Sequence, residues 1–244
     1  MTVSITVDVD GESGLPDGGR GHAQRLSSRS ERLYGLRRGL PRVLTALAES
    51  GLRATFYVPG VVAQRHPQEI RGLLDGGHEL GHHGHSHRRP DELPPSTQRA
   101  ELVDGLAALG ELTGAPVRGY RAPGWELTPV TLRALGALGF THDSSLMGDD
   151  RPYLVGELVE LPVHWTLDDA PHFEHTTDPE PLLRCWLAEL ACANAEERHV
   201  TFTLHPEILG RPHRLVVLRR LLEAVRESGA AHLTHSRAAE LARR

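Results

Sequence analysis

Lysine is missing altogether from this sequence of 244 residues: all 27 basic side chains are arginines, set against 32 carboxylates. Genomic nucleotide composition accounts for that bias, and no function is read from it. The formal charge of −5 supplies no positive field to draw nucleic acid or an anionic membrane, so neither is expected as a partner. Cysteine is scarce as well. Cys185 and Cys192 lie seven apart on a predicted helix, about 10 Å along its axis, too far to bridge each other, and read as reduced core thiols. No stretch approaches the roughly 18 uncharged apolar residues of a membrane span. The opening Met-Thr-Val-Ser-Ile-Thr-Val-Asp has neither the positive region nor the cleavage site of a secretory signal, and cytoplasmic residence is the expectation.

What remains is a composition of 39% hydrophobic and 24% charged residues, that of a globular chain able to bury roughly 70–75% of its unfolded surface. One domain over residues 1–244 is expected. Strand patterns fall at Val3–Asp10, Ala54–Val58, Glu79–His82, Gly119–Ala122, Phe140–Leu146, Leu158–Val163, Val200–His205 and Ala231–Thr234. Helices alternate with them: Leu40–Ser50 before Gly51, Pro95–Leu112 before Gly114, one started by Thr128-Pro129 and ended at Gly139, one started by Asp178-Pro179 and reaching about Glu197, Arg214–Ser228 before Gly229, and a last one capped by Ser236. About eight strand-then-helix units predict an α/β fold, a closed or nearly closed TIM-like barrel, with an open doubly wound sheet as the other arrangement. Neither glycine-rich phosphate motif occurs. Gly11–Ser30 has no periodicity and reads as a long loop after the first strand.

The first strand alternates Val3, Ile5, Val7 and Val9 with Ser4, Thr6, Asp8 and Asp10, so two carboxylates share one face at its C-terminal end. Packed roughly 6–7 Å apart, they call for a positive group between them or for solvent in an Asx turn. Histidine is the anomaly of the composition, 16 in all, and His78, His82, His83, His85 and His87 fall inside ten residues. An i, i+4 pair on a helical turn presents two imidazoles to one ion. Both His78/His82 and His83/His87 have that spacing; a strand running into a helical turn favours the second, and a solvated histidine run is the other reading. Arg121 and His205 end two further strands, each before a proline. Charged groups at strand C-termini converge where barrel active sites assemble.

Together Thr6-Val-Asp-Val-Asp10, His83-x-x-x-His87, Arg121-Ala-Pro-Gly-Trp125 and Thr203-Leu-His-Pro206 resemble, in order, the motifs of the NodB-type polysaccharide deacetylases, carbohydrate esterase family 4. The resemblance spans about residues 3 to 230. It implies a distorted (β/α)7–8 barrel and a divalent metal, usually zinc, with cobalt, nickel, manganese or iron as alternatives. By the same resemblance Asp10, His83 and His87 are the metal ligands, Asp8 the general base, Arg121 its orienting partner and His205 the general acid. Trp125, Asp143, Trp165 and Asp169 are implied to line the substrate groove. The Asp-Val-Asp spacing departs from the adjacent aspartates of most secreted members and is similar to an intracellular subgroup that includes cyclic imide hydrolases and metal-independent allantoinases. A small-molecule or saccharide amide is the implied substrate, and a symmetric homo-oligomer the implied assembly. With aromatics at 5%, a long sugar-stacking platform is not expected.

Two other classes fit parts of the pattern. Two histidines and one carboxylate also form the facial triad of non-haem Fe(II) oxygenases, and a histidine run suits a non-catalytic metal-binding protein. The segment Asp168–Glu174 reads as a flap at the barrel mouth or as a plain connection between elements, and His82, His85, His164, His172 and His175 as solvated loop histidines, with a place around the same opening as the other reading.

Overall fold

The computed structural model describes residues 1–14 and 25–243. In chain order its elements are β1 (Thr2–Asp8), α1 (Leu26–Tyr34), α2 (Leu40–Ser50), β2 (Thr55–Val58), α3 (Gly60–Arg65), α4 (Pro67–Asp75), β3 (Glu79–His82), α5 (Pro95–Thr113), β4 (Gly119–Tyr120), α6 (Pro129–Ala137), β5 (His142–Asp143), β6 (Tyr153–Val155), β7 (Leu158–Glu160), α7 (Asp169–His175), α8 (Glu180–Ala195), β8 (His199–Leu204), α9 (Pro206–Leu209), α10 (Leu215–Glu227), β9 (Ala231–His232) and α11 (His235–Ala242). No described helix is long and apolar enough to cross a membrane. Of the predicted loop Gly11–Ser30, residues 15–24 lie outside the described residues; Gly11–Gly14 forms a 3₁₀ turn, and α1 begins at Leu26.

Among the described residues one curled sheet runs β6-β7-β5-β4-β3-β2-β1-β8, with β9 paired to the first residues of β1. Every pairing is parallel except that of β6 with β7. This is the distorted α/β barrel expected. Among the described residues no ladder joins β7 to β8; on that side an isolated parallel bridge pairs Asp168 with Thr203 of β8. The antiparallel β6 escaped the sequence pattern because three residues are too few to show a period.

Alternation along β1 and β8 sets the layers. Val3, Ile5, Val7, Val200, Phe202 and Leu204 join the main core with Val43 and Leu47 of α2, Trp186 of α8 and Leu218 and Leu221 of α10. Each such side chain, fully removed from water, contributes about 1.5–3 kcal/mol before the entropy of ordering is counted. The opposite face is polar. Thr6 Oγ1 donates to the Phe202 carbonyl at 3.0 Å, Thr203 Oγ1 lies 3.1 Å from Thr6 Oγ1, and Tyr57, His199, Thr201 and His235 are buried with them.

Helix punctuation matches in places and differs in others. α2 and α5 end on Gly51 (φ 71°) and Gly114 (φ 65°), left-handed positions that suit a residue without Cβ. Thr128 caps α6 by accepting from the Thr131 amide at 3.1 Å. Ser236 does not cap α11, which starts one residue earlier; its amide goes instead to the Glu79 carboxylate at 3.1 Å. Cys185 and Cys192 are exposed, not core, because the side of α8 they share is turned away from the stripe that buries Leu182, Trp186 and Leu190.

Candidate active site

β1 and β8 deliver their last inward residues to the same rim. β1 ends at Asp8; two residues on, Asp10 is held by a turn in which the Ser13 amide and hydroxyl both donate to its carbonyl, at 3.0 and 2.6 Å. β3 ends at His82, and the segment after it is not the helical turn expected. Gly84 (φ 71°) and His87 (φ 59°) both adopt left-handed backbone, uncommon for a histidine, and this bend brings His87 back beside His83. Their ring centroids are 4.9 Å apart. The competing pair does not form: His78 takes the Ala54 amide before β3, and His82 is sealed in the wall with its Nε2 on the Leu102 carbonyl.

Asp10 Oδ1 lies 3.5 Å from His83 Nε2 and 3.3 Å from His87 Nε2. The three side chains each turn one donor atom into a cluster no wider than 4.8 Å. Asp10 Oδ1 is buried and has no hydrogen-bond partner among the described residues. His83 Nδ1 donates to the Arg121 carbonyl at 2.8 Å, which leaves Nε2 with its lone pair toward Asp10, and burial pushes the His83 imidazole down, toward the neutral form a metal needs. Burial would raise Asp10, but His87, His205 and His83 around it hold its carboxyl well below the usual range. An orphaned carboxylate oxygen facing two imidazole nitrogens fits a divalent cation; Zn²⁺ and its neighbours take this Asp–His–His set and keep a position open for water.

Two charge pairs flank the cluster. Arg121, fully buried, donates from Nη1 to Asp8 Oδ1 at 2.7 Å and to Thr6 Oγ1 at 3.0 Å, with its guanidinium carbon 4.3 Å from the Tyr57 ring centroid. Asp8 Oδ2 stays on the cluster side, 3.7 Å from His83 Nε2. Opposite, His205 Nε2 is 3.8 Å from Asp10 Oδ2, while its Nδ1 donates to Asp169 Oδ1 at 2.7 Å. Burial works against protonating His205, yet Asp168, Asp169 and Asp10 carry its imidazole well above the ordinary histidine value.

These groups open on a cavity of about 390 Å³ lined by Asp8, Asp10, His83, His87, His205, Asp168 and the two indoles Trp125 and Trp165, with Ala170, Pro171 and Glu174 of α7 along one side. The indole centroids are 4.6 Å apart; Trp125 is packed in and Trp165 is half exposed. A larger cavity of about 590 Å³ lies between Met147–Asp150 and Arg198–Thr201; His164 lines it, and none of the expected catalytic, metal-binding or groove residues does.

Two expected groove residues lie elsewhere. Asp169 is fully buried behind His205, its second oxygen on the His205 amide at 3.0 Å, so it holds the imidazole and does not face the cavity. Asp143 is buried beneath the Arg121 loop against Glu160. The Asp168–Glu174 segment is the start of α7, which follows a 3₁₀ turn at Trp165–Leu167 and is capped by Asp168, whose carboxylate accepts from the Ala170 amide at 2.7 Å. None of His82, His85, His164, His172 and His175 lines the cavity. Sequence reasoning missed Asp168, whose carboxyl burial and the neighbouring Asp169 push upward while the facing His205 pulls it down. It also missed Arg32 of α1, paired to Glu207 at 2.6 Å and 3.9 Å from Asp10 Oδ2. The Asp168-Asp169 doublet was visible; which member faces inward depends on where α7 starts.

A (β/α) barrel with an Asp–His–His cluster between an Asp–Arg and a His–Asp pair defines a class of hydrolases. The Polysaccharide deacetylase family model matches residues 34–142. A Mycobacterium smegmatis protein assigned to the polysaccharide deacetylases is 38% identical, with a TM-score of 0.91 over 99% of this chain and 90% of that one. The peptidoglycan deacetylase of Helicobacter pylori is 26% identical over 92% of this chain and 90% of its own length. An allantoinase shares the fold, with a TM-score of 0.87 at 20% identity over 98% of this chain and 89% of its own. The chain belongs to the polysaccharide deacetylase family, hydrolases of carbon–nitrogen bonds other than peptide bonds.

Proposed function

We propose that this protein is a divalent-metal-dependent amide hydrolase that removes the acetyl group from an N-acetylated sugar or sugar conjugate. The observation that carries this reading is the arrival of Asp10, His83 and His87 in one cavity with Asp8 and His205, the first held from behind by Arg121 and the second by Asp169. Asp10, His83 and His87 would hold the ion, which when bound supplies a Lewis acid and a water of lowered pKa. Asp8 Oδ2 takes the proton of the attacking water, with Oδ1 fixed by Arg121. His205, protonated and held through Nδ1 by Asp169, gives a proton from Nε2 to the departing nitrogen. That second proton is required because an amide anion is a very poor leaving group. Trp125 and Trp165 supply an apolar wall against which a ring can lie.

A second reading, ring opening of a small cyclic imide or ureide, draws support from the compact cavity of about 390 Å³ and from the shared fold of the allantoinase. The same acid and base serve both.

The test is a hydrolysis panel of N-acetylglucosamine, chitooligosaccharides, succinimide, hydantoin and allantoin, on protein loaded with one equivalent of Zn²⁺ or Co²⁺ and on protein held in chelator. Acetate release that chelator abolishes is the expected result. Turnover indifferent to chelator overturns the metal assignment, oxygen uptake with a 2-oxo acid points to the oxygenase class, and several exchangeable ions per chain to a metal-binding protein.

A further inference from the structure

Glu160 and Asp143 are register partners on β7 and β5, both buried, and their carboxyls lie against each other. As two carboxylates, Asp143 Oδ2 and Glu160 Oε2 would each be left without a hydrogen-bond partner among the described residues. Two bare charges in that place would repel, and Arg121, the nearest cation, already spends Nη1 on Asp8. One shared proton resolves both problems, a Glu160 carboxyl donating to an Asp143 carboxylate. The other oxygens hold one short segment. Glu160 Oε1 accepts from the amides of Ser145 and Leu146, both at 2.9 Å, and Asp143 Oδ1 accepts from the Ser145 hydroxyl at 2.9 Å. Ser145 Oγ in turn accepts from the Ala122 amide at 2.9 Å, one residue past Arg121. Ser144 presents its carbonyl and hydroxyl to Arg121 Nε and Nη2 at 3.1 and 3.0 Å.

We infer that the proton-sharing Glu160–Asp143 pair is a positioning device for the reaction: it fixes the Ser144–Ser145 turn, which orients Arg121 and, through Arg121, the base Asp8. The same turn reaches the metal cluster, since the Arg121 carbonyl accepts from His83 Nδ1. Burial first, and then the Asp143 charge, push Glu160 up to about 10. The titratable groups around the pair are Tyr57 on β2, Tyr120 on β4 and Tyr153 on β6, all phenols pushed upward, with Arg121 the facing cation.

The effect on turnover rests on the hydrolase reading; the pairing does not, and the experiment separates the two. Glu160→Gln and Asp143→Asn each supply from an amide the hydrogen that the shared proton supplies. Each single variant is expected to keep Zn²⁺ affinity and kcat within about threefold of wild type, a hydrogen bond being exchanged and not lost. The double variant sets two NH₂ groups against each other, and Glu160→Ala strands Asp143 and two amides. Both are expected to lose about 10- to 100-fold in kcat, more than in KM, and to bind Zn²⁺ more weakly, the scale of a buried group deprived of its partner. Should Glu160→Ala not fold, the three amide variants carry the test alone. In chelator, wild type holds a proton at Glu160 from about pH 4.5 to 10 that the unfolded chain releases, so its stability falls as pH rises through that window. The urea midpoint of Glu160→Gln is therefore expected to gain on wild type from pH 5 to 9. A gap that does not move with pH, or Glu160→Gln as impaired as the double variant, overturns the inference. A wild type without turnover on the panel counts against the hydrolase reading alone, because Zn²⁺ titration and unfolding still judge the pair.

Discussion

Histidines at the rim of the barrel and histidines inside it live under opposite electrostatics. His199, His235 and His142 sit in the polar interior among hydroxyls: His199 between Thr2 and Thr201, His235 on the Tyr57 phenol at 2.6 Å, His142 beside Thr141. Burial alone pushes His199 down to about 4; burial, with Arg243 adding to it, pushes His142 down to about 4, and burial, with Arg121 adding to it, pushes His235 well below the ordinary histidine value. Six residues on from His199, just past the end of β8, His205 is also buried, yet three carboxylates carry it the other way. Burial alone thus makes a histidine a neutral hydrogen-bonding strut. Burial beside carboxylates makes it an acid still protonated at neutral pH, which is what departure of an amine demands.

The largest effect expected is at the rim. Asp8→Asn and His205→Ala each remove one proton-transfer group and should lower kcat by about 10²–10⁴ while the protein still takes up one equivalent of Zn²⁺. His83→Ala should instead lose the ion, as read by elemental analysis after gel filtration. An Asp8→Asn enzyme with near wild-type turnover would place the base elsewhere.

Stability against pH tests the contrast itself, with chelator present. His199 has a depressed folded-state pKa, so its contribution is complete above 6.5 and is lost as pH falls toward about 4, by roughly 3 kcal/mol at most at 1.4 kcal/mol per unit. The deficit of His199→Gln should accordingly shrink between pH 6.5 and 4. His205 has a raised pKa, so its contribution is complete below 6.5 and is lost as pH rises through the folded value. The deficit of His205→Gln should shrink toward alkaline pH. Urea midpoints of the two variants moving in the same direction would dissolve the distinction drawn between rim and interior.

Much of this arrangement could be read from the chain because strand alternation is local. The apolar face of β1, its inward Ser4, Thr6 and Asp8, and the arrival of Arg121 and His205 at strand ends all follow from period two. The rest depended on backbone angles and on contacts distant in sequence. His83 and His87 converge through two left-handed residues, which no helical spacing encodes. Asp143 and Asp169 were assigned to the groove by resemblance alone, whereas the register with Glu160 and the contact with His205, 17 and 36 residues away, turn both inward. The exposed cysteines illustrate the same limit: a seven-residue spacing says that two side chains share a helix face, and only the packing of Trp186 says which face.

The smallest effect expected is at the outer edge of the cavity. Trp165 is 49% exposed and stacks at 33° on the packed Trp125. Trp125 is held by its own loop, with its amide on the Ala122 carbonyl at 2.9 Å. Removing the outer indole should therefore leave the inner one and the chemistry in place. An aromatic contact of this kind is worth about 0.5–1.5 kcal/mol beyond its buried area. Trp165→Ala is expected to raise KM about 2- to 10-fold for a ring-containing substrate with kcat nearly unchanged. An equal fall in kcat would mean instead that the indole acts on the reacting geometry, binding the transition state and not merely the ring.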